Sequence, residues 1–401
     1  MKFLRTAPTR RLLAILAGVL VVIGGGTAIA VAAAGSGPVP QPASLAEAIH
    51  DGLSAPKITG ISANITFTNH LIDASNLQGT DPILQGAGGR LWYSPATHQL
   101  RLELQSDNGD AQVLVNGNSF WISDPSSNTV YEGTLPAQSH SDHAPAAQDT
   151  IPSLTQIQTD LTKLAGHLDL GGAVPTDTAG QPTYTVRVSP KHDGGLLGAA
   201  QLAFDAARGV PLDLAVYASG DTSPVLELKA TGVSFGTVAP SVFAVTPPAG
   251  DKIVKIDTPT TANATGQHTG HKLITGLASV IAALPFTLAA PSTAAGLPRQ
   301  TVAKLDWGGK AGALVTYGQG VGGIAVIERP ADGTATIGAS SSGHNGLSLP
   351  TVSIDGITAR ELDTALGTMI MFTRAGVSYT VIGSVPPTAA ETAATDIVKA
   401  L

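Results

Sequence analysis

The most constraining feature of the sequence is a pair of stretches in which apolar and polar residues alternate. They are LQGAGGRLWYSPATHQLRLEL, residues 84–104, and LVNGNSFWISDPSSNTVY, residues 114–131. A period of two is typical of a strand with one face buried and the other in water. The pair Asn116-Gly117 stands between two such runs and indicates a tight hairpin. The sequence therefore predicts an antiparallel meander.

Composition extends this prediction to the whole chain and excludes several function classes. The 401 residues suffice for two domains, and the low charged fraction of 13% beside 46 Gly and 27 Pro favours short strands and turns over long solvated helices. The net charge of -7 predicts no nucleic-acid partner. The chain has no Cys, which excludes disulfides, thiolate metal sites, a Cys nucleophile and a lipid-modified Cys.

The amino terminus predicts export from the cytoplasm. A basic start precedes an uncharged apolar run from Leu12 to Ala34, which is long enough to cross a bilayer. Ala-rich sites of the A-x-A kind follow within the run, so a cleaved signal peptide is the alternative to a membrane anchor. We therefore expect residues 1–36 to be an anchor or signal peptide. In both cases the body lies outside the cytoplasm, and an uncleaved run makes a single-pass protein of the cell membrane.

The pattern of elements divides the body into two units. Residues 45–255 read as a sheet with a helix at each of two places, one capped by Ser44 and one with apolar residues at helical spacing from Leu154 to Leu164. Residues 256–270 read as a linker, and residues 271–401 as a small α+β domain. That domain is expected to open with a helical run in KLITGLASVIAAL and to close with a helix from Ala390 to Leu401, capped by Thr388.

Catalytic and metal-binding interpretations find little support in the sequence. HSDH and HTGH have ligand residue types, but they lie in small polar stretches typical of solvated linkers. The glycine run Gly318 to Gly323 lies between two strands and indicates a hairpin or bulge more than a phosphate loop. Nothing suggests that Glu361 and Asp363 flank a substrate, and no G-x-S-x-G elbow occurs. We therefore expect that the protein is not an enzyme and that it binds neither a metal ion nor a cofactor.

The order of elements resembles the bacterial lipoprotein-carrier superfamily typified by LolA. Its paired strand motifs are matched over roughly residues 45 to 255, and the matching positions are Gly89, Leu91, Trp92, Arg101, Glu103, Asn116, Gly117, Trp121, Asp124 and Pro125. The resemblance implies an α+β fold, in which a strongly curved antiparallel sheet forms an incomplete barrel lidded by helices. It also implies an apolar concavity that receives lipid or lipoprotein acyl chains.

The carboxy-terminal unit is similar to small domains that end bacterial extracytoplasmic anti-sigma and sporulation-associated proteins. The regulator RseB also pairs a carrier-like domain with a second domain. Two functions therefore stay open. One is a LolA-like carrier or receptor for lipid, acyl chains or lipoprotein; the other is an RseB-like sensor that binds a membrane protein partner such as an anti-sigma factor.

Six apolar strand residues are the candidates for lining the concavity: Phe67, Leu91, Trp92, Leu102, Phe120 and Trp121. Both tryptophans have an alternative role as ordinary core residues. Alternation also assigns Leu91 and Trp92 to opposite faces, so they line one cavity together only if a bulge intervenes.

Overall fold

The structure is a computed structural model. It describes residues 37–72, 81–107, 109–135, 151–191, 195–256, 274–307, 310–331 and 349–401.

Thirteen strands of the described chain form one large sheet. They are β1 Ile61–Asn69, β2 Ala87–Ser94, β3 Gln99–Leu104, β4 Ala111–Asn116, β5 Ser119–Asp124, β6 Thr129–Thr134, β7 Leu168–Leu170, β8 Val174–Thr178, β9 Gln181–Pro190, β10 Leu197–Asp205, β11 Pro211–Ala218, β12 Leu226–Phe235 and β13 Lys252–Ile256. Their order is β13-β6-β5-β4-β3-β2-β1-β12-β11-β10-β9-β7, with β8 also on β9. Among these pairs only β13 and β6 run parallel. The predicted meander is confirmed as β2 to β6, and the turn at Asn116-Gly117 joins β4 to β5.

Eight further strands form a second, antiparallel sheet that curls as a half-barrel. They are β14 Thr293–Ala294, β15 Leu297–Trp307, β16 Lys310–Tyr317, β17 Ile324–Pro330, β18 Thr351–Ile354, β19 Ile357–Thr364, β20 Gly367–Arg374 and β21 Val377–Gly383, in the order β14-β15-β16-β17-β21-β20-β19-β18. We call the chain of the large sheet the first unit and the chain of this sheet the second unit. The predicted fold class is confirmed: a curved sheet with helices and a second α+β unit. The boundaries at residues 255 and 271 stay predictions.

The helices are short. They are α1 Leu45–Ser54, α2 Pro82–Gln85, α3 Leu154–Leu164, α4 Leu277–Ile281 and α5 Pro387–Lys399, with a 3-10 turn at Pro240–Phe243. Helix α1 begins at a capping box, in which the Ser44 hydroxyl accepts from the Glu47 N–H and the Glu47 carboxylate accepts from the Ser44 N–H. The predicted Ser44 cap is therefore confirmed.

Two predicted helix boundaries are wrong. The carboxy-terminal helix starts at Pro387 and is capped by the extended residue Pro386, so Thr388 lies inside the first turn. Proline suits this first position because its missing N–H would have no partner there. The helical run predicted in KLITGLASVIAAL is reduced to α4, because Ile274 and Gly276 form backbone hydrogen bonds with β15 instead.

Each sheet has its own core. In the second unit, α5 packs its alanines and Ile397 on the face of the sheet that carries Val315, Val326 and Val381. In the first unit, α1 packs through Ala48 against the strand residues Leu202 and Phe204, and α1 also contacts α3. Helices thus cover one part of the large sheet and one face of the smaller sheet.

Candidate functional site

An apolar face runs across the meander. By strand register, Leu91, Leu102, Val113, Ile122 and Tyr131 form one row across β2 to β6. A second row of the same face consists of Tyr93, Leu100, Val115 and Phe120, and Phe67 lies on this face of β1. All of these side chains are only partly buried. We call these ten residues the apolar face.

The same side of the sheet is closed by a helix farther along. Phe67 is in register with Leu228 of β12, which faces Leu214 of β11 and through it Leu202 of β10. Leu202 packs against Ala48 of α1, so the helix covers the β9 to β11 part of this side. The apolar face therefore belongs to one long apolar surface that helix α1 covers at its other end.

The structure places the two tryptophans on the opposite side of the sheet. Trp92 and Trp121 share a row through Arg101 and Leu114, because the register of β2 with its neighbours contains no bulge. They pack with Val130 in a cluster covered by the chain segment 238–245. Of the six candidates, Phe67, Leu91, Leu102 and Phe120 come together on the apolar face, whereas the tryptophans form core.

Residues that carry the lipoprotein-carrier resemblance hold this covering segment in place. The Arg101 guanidinium lies 5.2 Å from the centre of the Trp92 ring, pairs with the Glu103 carboxylate at 2.7 Å and donates to the carbonyl of Val242 at 3.1 Å. Both ion-pair partners are largely buried, so removing either one would leave the charge of the other without its partner. These motif residues fix the fold.

Gly89 and Asp124 have equally local roles. A Cβ at Gly89 would come within 2.0 Å of the Glu103 carbonyl oxygen, so only glycine allows β2 and β3 to approach this closely. The Asp124 carboxylate accepts from the Ser126 N–H at 2.9 Å and from the Ser127 hydroxyl at 2.6 Å, which closes the turn after β5.

A groove of about 660 Å³ lies on the second unit, and sequence reasoning missed it. Its floor is a row across five adjacent strands, formed by Thr316, Ala325, Ile382, Met369 and Leu362. This row is on the side of the sheet opposite α5. The glycine run predicted to be a hairpin connection joins β16 to β17 and forms one wall of the groove, and the β19 to β20 turn forms another. The alternation of Thr316 with buried Val315 was the available sign of this outward side.

Two carboxyls of the second unit, the buried Glu328 and the partly buried Glu361, have raised pKa values. Burial raises the pKa of Glu361, and the nearby Glu391 and Asp363 carboxylates raise it further. Burial alone raises the pKa of Glu328 to about 7, although its carboxylate accepts from the Ala289 N–H at 3.0 Å. Among the described residues, no group of three or more metal-ligating side chains comes together.

Several predictions fall outside the described residues. They are the apolar run Leu12 to Ala34, the histidines of HSDH and HTGH, and the linker after Ile256. In the part of the chain that the structure describes, no helix is long and apolar enough to cross a membrane.

No known protein family and no curated protein matches the sequence. The fold is similar to those of several solved structures. A chain of the Pseudomonas aeruginosa MucA/MucB complex is 16% identical over 87% of this chain and 94% of its own length, with a TM-score of 0.40. An uncharacterized conserved protein from Thermus thermophilus is 10% identical over 52% of this chain and 98% of its own, with a TM-score of 0.33.

A putative outer membrane lipoprotein-sorting protein domain from Vibrio parahaemolyticus is 9% identical over 50% of this chain and 95% of its own, with a TM-score of 0.18. The chain is thus similar to MucB and to a lipoprotein-sorting domain. The resemblance of the carboxy-terminal unit to the ends of anti-sigma and sporulation-associated proteins stays a prediction.

Proposed function

We propose that this protein is an extracytoplasmic, membrane-associated binding protein that holds a lipid acyl chain against the apolar face. The observation that carries the proposal is the pair of cross-strand apolar rows whose side chains are partly accessible. Contiguous accessible apolar surface of this kind marks binding sites, because leaving it in water is unfavourable.

The chemistry of the face favours a hydrocarbon ligand. Its ten residues are aliphatic or aromatic, and the hydroxyl groups of Tyr93 and Tyr131 are the only hydrogen-bonding groups that their side chains offer. Strands β2 to β5 each pair on both sides, so their backbone groups are already used in the sheet. A ligand with many polar groups would lose its hydrogen bonds to water here without replacement, whereas an acyl chain loses none.

Binding of palmitate by the purified body is the test, with Leu102→Asn as the informative variant. Asparagine is close to leucine in size but polar, and we expect about tenfold weaker binding from the loss of one buried leucine contact. Thr66→Asn is the matched control, because Thr66 is exposed on the other side of β1. Solvent extraction of the natively purified protein that yields no lipid, together with no palmitate uptake, refutes the proposal.

A membrane-anchored sensor that binds a partner protein is the second candidate, and edge strand β13 favours it. Within the described chain β13 pairs with β6 alone, and its Ile253 side chain is 56% exposed between the exposed Lys252 and Lys255. An open edge of this kind can accept an extended acidic segment of a partner by strand addition.

A photo-crosslinker placed at Ile253 in the host tests this second candidate. We expect an adduct with one membrane protein, and none from the control position Val39, which is 54% exposed but lies outside the sheet. If the same adducts form at both positions, or if none forms at Ile253, the sensor hypothesis is rejected.

A further inference from the structure

The lining of the groove on the second unit selects an uncharged ligand. Its apolar side chains include Val321, Leu362, Leu366, Met369 and Ile382, and its polar ones are hydroxyl groups; no described lining residue carries a charge. The volume of about 660 Å³ is within the range of ligand sites, about 300–1,000 Å³. Ile382 is 43% exposed on this floor, and methionine adapts readily to the shape of a ligand.

A hydrocarbon chain fits this groove better than a peptide does. The five strands that form the floor are all interior strands of the sheet, each paired on both sides. A peptide lying on them would find no free strand edge for its backbone N–H and C=O groups, and burying those groups without partners is costly. An alkyl chain carries no such groups.

The groove lies at the junction with the first unit. The Ala365 N–H donates to the carbonyl of Leu71 at 2.9 Å, and Thr364 and Leu366 on either side of Ala365 line the groove. At a second contact the Leu196 N–H donates to the carbonyl of Ser384, another lining residue, also at 2.9 Å.

Phe67 is the residue of the apolar face that lies nearest this junction, whereas the Leu91 and Tyr93 rows are in register with Ala63 and Ile61, farther back along β1. Phe67 is four residues before Leu71, which places their Cα atoms at most about 14 Å apart. The ends of β1, β9 and β11 and the starts of β10 and β12 all lie at this end of the large sheet. At this junction one chain of a lipid can therefore contact Phe67 while a second chain enters the groove.

We propose that the groove binds the second hydrocarbon chain of a lipid whose first chain lies on the apolar face. The proposal rests on the proposed function and extends it: a single-chain lipid contacts the apolar face alone, and a lipid with two chains also occupies the groove. It also gives the second unit a role, which is to recognise the number of chains.

Photolabelling with the full-length protein tests this assignment. The probes are lysophosphatidylcholine and phosphatidylcholine that carry a diazirine on each acyl chain, and labelled peptides are mapped by mass spectrometry. We expect phosphatidylcholine to label both the apolar face and the segments 316–325 and 362–384. Lysophosphatidylcholine is expected to label the apolar face alone.

The Ile382→Asp variant supplies a quantitative readout. A charge on the floor of the groove should weaken phosphatidylcholine binding about tenfold or more and leave lysophosphatidylcholine binding unchanged. Val174→Asp is the matched control, because Val174 is a 51% exposed β-branched strand residue of the first unit, outside both surfaces. Folding of both variants is checked by circular dichroism.

The outcomes separate this proposal from the proposed function. If phosphatidylcholine labels the apolar face alone, or if Ile382→Asp and Val174→Asp bind phosphatidylcholine equally well, the second-chain site is overturned and the proposed function stands. Labelling of neither surface by either probe overturns both.

Discussion

The buried carboxyl of Glu328 gives the most decisive prediction about stability. Glu328 is fully buried in the core of the second unit, in register with Ala313 and Tyr379. One carboxyl oxygen accepts from the Ala289 N–H, and the other has no hydrogen-bond partner among the described residues. Among the described residues Glu328 forms no ion pair, and burial raises its pKa from 4.5 to about 7.

The sign and size of the effect follow from this pKa. Between pH 4.5 and 7 the folded protein keeps a proton on Glu328 that the unfolded chain releases, so stability falls as pH rises through this window and is level above it. At about 1.4 kcal/mol per pH unit, the loss is about 3 kcal/mol. Glu328→Gln removes the titration while its amide oxygen still accepts from Ala289. The variant bears a constant cost of about 1–3 kcal/mol for its unpaired NH₂ group.

Urea denaturation of the protein and the variant from about pH 4 to pH 8 measures this effect. We expect the variant to be the less stable of the two near pH 4 and to gain about 3 kcal/mol relative to the unsubstituted protein by pH 8. Asp355→Asn, which changes an exposed carboxyl of the same unit, is the control. A stability difference between Glu328→Gln and the unsubstituted protein that stays constant across this range refutes the reasoning.

Four further substitutions test local features of the fold by thermal unfolding. Gly89→Ala should cost about 1–3 kcal/mol, because the new Cβ meets the Glu103 carbonyl oxygen at 2.0 Å. Gly88→Ala, one residue earlier with open space around it, should be close to neutral, and equal effects would contradict the packing argument. Ser44→Ala should cost about 1 kcal/mol through the lost cap of α1, whereas a similar loss from Thr388→Ala would contradict the assignment of Pro386 as the cap of α5.

Alternation in the sequence was enough to place strands and to separate their two faces. Leu91 and Trp92 lie on opposite sides of β2 as the period of two requires, and the hairpin at Asn116-Gly117 forms where its turn chemistry predicts. The same rule applies to Glu328, which shares one face of β17 with buried Ile324 and Val326 and so points to the core despite its charge. These features are local, because side-chain direction in a strand follows from backbone geometry alone.

Which face becomes buried was decided by residues far away in the chain. Alternation separates the side of Leu91 from the side of Trp92 but does not indicate which of the two is covered. The segment 238–245, more than a hundred residues later, covers the tryptophan side. The groove likewise combines residues that are distant in the sequence. Its floor comes from five strands, and the β16 to β17 and β19 to β20 turns meet at one end of the sheet because of the strand order β17-β21-β20. Strand order is set by the burial gained when the whole sheet and its helix pack together, and no single stretch of sequence carries that information.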